Sequence, residues 1–317
     1  MAYAPDAAFG KTAFADFASR GIKMSEKMDI VLQSDFGLST GYVASMYGVI
    51  RSIDKEIAVY DLNHEIRPFD MKQASQMLAA TVKYWPADTV FVSVVDPGVG
   101  TARIPCVAEL KSGQYIVTPD NGTLTDVTGQ IEAVRKIDEK YNRRPGSEGE
   151  STFHGRDIFA YCAAKLASGI IRFDGEGASG VGEAYPVSEI VKYSRVKPEI
   201  TQGRACCVIE NYEANFGGIA LGVTAEEFAG TGMKYGDSTR ITISKEGDVL
   251  YEDTVLYGAS FGSVGIGEPI LYHGSTGPYM FLSLNKKSFV GEYLTSLTRI
   301  GEDFAEYRVR IQKIESR

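Results

Sequence analysis

Three side chains of this chain have the types and settings to move protons around a reacting centre: Asp96, Arg103 and His154. Asp96 ends the apolar run Thr89-Val-Phe-Val-Ser-Val-Val95 and opens a turn, Asp96-Pro97-Gly98-Val99-Gly100. Proline and two glycines fix a tight loop and let backbone approach a ligand. Arg103 returns beside Asp96 after that loop. His154 sits in Thr152-Phe153-His154-Gly155-Arg156-Asp157, ahead of a helical stretch, and is one of only 3 histidines. A histidine at a loop-to-helix entry can meet a ligand on the same edge. Taken alone, His154 is more readily a satisfied structural histidine. A carboxylate and an imidazole accept and orient protons, and a guanidinium stabilises a developing oxyanion.

The elements that must hold these residues read as an α/β domain. Runs at 29–34, 56–60 and 89–95 are strand-like. Runs at 41–53 and 70–84 have helical spacing, the second with Asp70 as its predicted N-cap. Alternating strand and helix predicts a Rossmann-like, mostly parallel sheet with helices on both faces. Each of the three strands stops at an aspartate: Asp35, Asp61 and Asp96. Ligands of open α/β sheets bind outside the carboxyl ends of the strands, although Asp also starts turns. Segments 104–110 and 114–118 read as an antiparallel pair, and a helix is expected from Gly155 to Ser168. Short strands recur near 204–210, 217–223, 239–245, 248–257, 268–273 and 279–284, which predicts a C-terminal β-barrel or sandwich. The division is therefore an N-terminal extension (1–28), an α/β domain (29–183), a linker (184–200) and a β-barrel domain (201–317). A short helix is expected near 11–19.

Composition narrows the classes. The 317 residues are 44% apolar and 23% charged, with a net charge of -8. A thinly spread negative charge disfavours nucleic acid and anionic membranes as partners. No apolar run approaches the roughly 20 residues of a membrane span, and the first 28 residues lack the apolar stretch of a secretory signal. The four cysteines (Cys106, Cys162, Cys206, Cys207) have no CxxC spacing, so reduced thiols in a cytoplasmic protein and no metal site are expected. Asp35-Phe36-Gly37 spells a kinase motif without its companions. Gly175-Glu-Gly177-Ala-Ser-Gly180 spells a dinucleotide fingerprint but follows a helix, so both are set aside. Arg143-Arg144 reads as a solvated basic pair.

Five ordered segments carry a family resemblance: SDFG (34–37), YDLNHEIRPFD (60–70), VDPGVGTAR (95–103), TPDNGTLT (118–125) and FHGRD (153–157). Together they resemble the S-adenosyl-L-methionine (SAM) hydroxide adenosyltransferases, the hydrolytic relatives of the fluorinase and chlorinase. The resemblance implies attack of water or hydroxide on the ribose C5′ of SAM, giving adenosine and L-methionine without metal or cofactor. It implies a homotrimer with sites between one subunit's N-terminal domain and the next subunit's C-terminal domain. It puts the catalytic set on Asp96, Arg103 and His154, the ribose-binding aspartate on Asp35, and flanking aromatics on Phe69 and Phe216. Ser275 and Asn285 fall on the late methionine and adenine motifs. Asn121, Phe153, Gly155 and Glu213 stand in the same motifs and complete the implied substrate contacts. The chain departs from the pattern at Ser39-Thr40-Gly41, at Glu213, and at Gly218, where the family has an adenine-facing Asn. A non-catalytic adenosyl-ligand binder and a chlorinase are the competing readings.

Overall fold

The computed structural model describes residues 27–315 apart from Thr276. The helix expected near 11–19, and nearly all of the N-terminal extension, lie outside the described residues.

The α/β domain is built on a seven-stranded sheet. Its strands are β1 (Asp29–Ser34), β2 (Val59–Asn63), β3 (Thr89–Val94), β4 (Pro105–Leu110), β5 (Tyr115–Pro119), β6 (Ile131–Lys136) and β7 (Ala184–Tyr185), in the order β2-β1-β3-β5-β4-β6-β7. β2, β1, β3 and β5 pair in parallel, while β4, β6 and β7 join antiparallel. Helices α1 (Tyr42–Ile53), α2 (Met71–Thr81) and α3 (Tyr161–Ala167) cover it. Successive strand residues point to opposite faces. Ile30 and Leu32 of β1 therefore pack with Met46 and Ile50 of α1 and Ala163 of α3, whereas Val31 packs with Leu78 of α2. Because helices cover both faces, β1 and β3 are apolar almost throughout rather than alternating, which is why they were legible as buried strands. Asp70 caps α2 as its sequence predicts, accepting from the Gln73 N–H at 2.9 Å.

The C-terminal region closes into a barrel. β9 (Arg204–Tyr212), β10 (Ile219–Thr224), β11 (Ser238–Lys245), β12 (Asp248–Tyr257), β13 (Pro269–His273), β14 (Tyr279–Leu284) and β15 (Tyr307–Lys313) form the ring, and pairing of β10 with β9 completes it. β8 (Glu199–Thr201) adds to β9 outside the ring. Inward residues such as Ile209, Leu221, Ile241, Leu282 and Ile311 fill the interior.

Three details differ from the sequence reading. β2 runs on to Asn63, so Asp61 lies within the strand, not at its end. Its carboxylate is taken by Tyr47 Oη (2.6 Å) and His64 Nε2 (2.8 Å), and His64 Nδ1 meets Ser34 Oγ at 2.7 Å. That Ser–His–Asp chain resembles a nucleophilic triad. Ser34 is fully buried, so the chain ties the end of β1 to β2 instead. β6 and β15 were not anticipated, although Tyr307-Arg-Val-Arg-Ile-Gln-Lys313 alternates strictly. Within the stretch read as a linker, β7 pairs with β6, and Asp120 accepts from Tyr185 Oη and the Val191 N–H, both at 2.8 Å. The two regions also meet at α2, where Lys72 and Gln76 reach the buried Glu210 of β9 at 2.8 and 2.6 Å.

No helix among the described residues is long and apolar enough to cross a membrane. Leu32 is fully buried between α1 and α3. Leu32→Ala should lower the unfolding free energy of the α/β domain by about 2–5 kcal/mol, followed by denaturant titration. A change below about 1 kcal/mol would contradict the packing described.

Candidate active site

The site lies at the carboxyl ends of β1 and β3. β3 delivers Asp96 just beyond its last residue, and the turn after it brings Arg103 back. Gly98 makes that return feasible, because a Cβ there would stand 3.2 Å from Arg103 Cγ. The result is a two-pronged ion pair. Arg103 Nε donates to Asp96 Oδ2 at 2.9 Å and Oδ1 at 3.1 Å, and Nη2 donates to Oδ2 at 2.5 Å. Both side chains are nearly excluded from solvent, at 8% and 5% exposure. Such burial makes the pair strongly interdependent, since losing either partner strands a buried charge. Arg103 also stacks over Phe159, with its guanidinium carbon 5.0 Å from the ring centre.

His154 enters from the other side. It precedes a π-helical turn, Gly155–Ala160, which continues into α3. Such wide turns recur at functional sites. The turn is pinned by Asp157, fully buried, which accepts from Arg144 Nε at 2.6 Å and Arg156 Nη2 at 2.7 Å. His154 Nδ1 lies 2.8 Å from Arg103 Nη2. Asp96, Arg103 and His154 therefore form one contiguous unit, with the guanidinium in the middle.

Sequence reasoning missed the fourth member. Arg143 is not solvated: its Nη2 lies 3.2 Å from His154 Nε2, and Nε and Nη2 donate to Glu139 at 3.1 and 2.8 Å. Arg144 is likewise taken by buried Asp157. Adjacent arginines beside a proline carry no sequence signal for this; only the fold brings them back to His154. Burial first, then the charges of Arg103 and Arg143, push the imidazole below its usual 6.5, against smaller opposing effects of Glu139 and Asp96.

A cavity of about 440 Å³ opens beside the unit, lined by Phe36, Tyr42, Asp96, Phe153, His154 and Gly155 among others. Phe36, Tyr42 and Phe153 meet edge to face, with centroids 5.3–5.8 Å apart. Asp35 is near, and burial, partly offset by the Phe69 and its own backbone N–H groups, raises its carboxyl; Asp96 adds to the rise. Phe69 stands at φ 68 with its N–H on Asp35 Oδ2 at 2.9 Å, and its ring is 61% exposed. Asn121 donates to Val95 O at 2.8 Å and so braces the Asp96 turn.

The barrel candidates do not join this cluster within one chain. Glu213, Phe216, Ser275 and Asn285 are absent from the cavity lining. Phe216 is 75% exposed. Burial raises the Glu213 carboxyl. Asn285 uses its amide on Phe261 O (3.2 Å) and Val264 O (2.9 Å), holding a loop of the barrel.

Residues 30–175 match the SAM hydroxide adenosyltransferase N-terminal domain. The α/β domain is therefore similar to that family's N-terminal domain. Over 154 residues the chain is 39% identical to an (R)-S-adenosyl-L-methionine hydrolase of Methanocaldococcus jannaschii, covering 46% of this chain and 56% of that protein. It is 42% identical over 141 residues to a namesake from Salinispora tropica, covering 44% and 53%. The match thus spans little more than half the length of these relatives. A fluorinase from Actinoplanes is 26% identical over 280 residues, covering 81% and 90%. The fold as a whole is similar to an uncharacterized conserved protein of Thermotoga maritima, with TM-score 0.74, 27% identity, and 89% and 99% of the two chains covered.

The His154 ring should stay neutral as pH falls through 6.5, because its folded pKa is lowered. Below 6.5 the unfolded chain takes up this proton before the folded one does, so this group's contribution makes folding less favourable as pH drops. Ring-proton NMR titration of the folded protein checks this; a midpoint at or above 6.5 would contradict it.

Proposed function

We propose that the protein is a SAM hydrolase that forms adenosine and L-methionine by attack of water on the ribose C5′. The observation that carries this reading is the buried Asp96–Arg103–His154 unit beside a cavity. Similarity of the α/β domain to several proteins named (R)-S-adenosyl-L-methionine hydrolase supports it.

The chemistry asks little of an acid. The sulfonium departs as a neutral thioether, keeping the electron pair of the broken C5′–S bond. The difficulty is an oxygen nucleophile at neutral pH. Arg103 stabilises hydroxide character on the attacking water, and its Nη1 has no hydrogen-bond partner among the described residues. Asp96 accepts the water proton; its Oδ1 takes only one long bond from Arg103 and retains acceptor capacity. His154 is the poorer acceptor, since each ring nitrogen already faces a guanidinium nitrogen. Bringing oxyanion character toward a sulfonium in a site shielded from water cancels charge in the transition state. No step calls for a metal or redox cofactor.

Asp35, Phe69, Asn121, Phe153 and Gly155 serve the ribose and reacting carbon. Glu213, Phe216, Ser275 and Asn285 serve the methionine and adenine ends from a neighbouring subunit, in a cytoplasmic homotrimer. The exposed rings of Phe69 and Phe216, and a cavity with no barrel residue in its lining, support a shared site. Similarity to fluorinases raises halogenation as a second reading. Asp96 would repel a halide beside it.

The test is incubation with SAM in ¹⁸O-water, with and without chloride. Adenosine labelled at the 5′ oxygen and unlabelled methionine are expected, and Asp96→Ala should be slower by about 10² or more. Unlabelled adenosine, chloroadenosine, equal turnover by Asp96→Ala, or binding without turnover would each overturn the reading.

A further inference from the structure

The relation of Arg143 to His154 is unusual in its electrostatics. One imidazole lies between two guanidinium groups, Arg103 at 2.8 Å on Nδ1 and Arg143 at 3.2 Å on Nε2. A doubly protonated ring would then oppose a cation at both ends, whereas the neutral ring accepts from one guanidinium and turns its single N–H toward the other, so the pair disfavours the charged ring. Arg143 is itself firmly held. Glu139 takes its Nε and Nη2, and its Nη1 donates to Ser147 O at 3.1 Å and Glu150 O at 3.0 Å. The charged groups that act on His154 are Arg103, Arg143, Glu139 and Asp96.

We propose that Arg143 is a positioning residue, which keeps the His154 ring uncharged and fixed so that His154 in turn fixes Arg103. The link to catalysis rests on the hydrolase reading above; the link between Arg143 and His154 does not. Without Arg143, the ring gains protons more readily. An imidazolium at 2.8 Å from Arg103 Nη2 would push the guanidinium away from its bond to Asp96. The same residue joins the segment ending at Asn142 to the loop carrying Glu150, which is one of the residues lining the cavity. The fixed ring and the cavity wall therefore share one anchor.

The experiment pairs a His154 ring-proton NMR titration with a pH profile of adenosine release, in full-length wild type, Arg143→Gln and Arg143→Lys. In Arg143→Gln the His154 midpoint should rise by about one pH unit. Its kcat should fall about tenfold below the new midpoint and recover above it, with KM little changed. Arg143→Lys retains the charge, so its midpoint should stay near wild type. Arg143→Met, which keeps much of the side-chain volume without the charge, supplies an independent check if Arg143→Gln fails to fold: its midpoint should also rise. An unmoved midpoint in Arg143→Gln or in Arg143→Met overturns the proposal. A shifted midpoint whose pH profile stays put overturns the catalytic link. If wild type releases no adenosine, the hydrolase reading falls while the titration still decides the role of Arg143.

Discussion

A guanidinium withdrawn from water needs its charge balanced and acceptors placed in its own plane. In this protein that requirement falls on Arg103, and the site is arranged around it. Asp96 supplies the charge and two acceptors, His154 a neutral ring nitrogen, and Phe159 an aromatic face. Removing Asp96 leaves a buried charge short of its partner, which costs more than the bond itself contributes. The Asp96 turn, the close approach at Gly98 and the π-helical turn after His154 are the backbone conditions that let the three groups meet.

The surrounding charges extend the same logic. Asp157 holds the turn through Arg144 and Arg156, and Glu139 holds Arg143 behind the imidazole. Each of these guanidiniums is thus matched by a carboxylate. A neutral imidazole inside such a network cannot readily serve as the proton store. That shifts proton acceptance toward Asp96, a choice between Asp96 and His154 that residue types alone leave open.

Much of this was legible in the residues. β1 and β3 read as buried because helices cover both sheet faces, and Asp96 read as ligand-facing because it follows β3. Arg103 and His154 needed the ordered motifs, since sequence distance hides a contact across 51 residues. Asp61 looked equivalent to Asp96 and is not: β2 continues past it, and Tyr47 and His64 take its carboxylate. Arg143 and Arg144 looked like surface charge because nothing local reveals which buried groups a loop will meet. The barrel was legible from its short strands. Its contribution to the site was not, because Phe216 is exposed and outside its own chain's cavity lining, and Asn285 holds a loop instead.

The central claim is that Asp96 and His154 act as one unit through Arg103. A double-mutant cycle of kcat/KM with Asp96→Asn, His154→Asn and the pair tests it most directly. If both residues act through the same guanidinium, the double variant should be little worse than the more damaged single variant. Penalties that multiply, as for independent groups, would contradict the account.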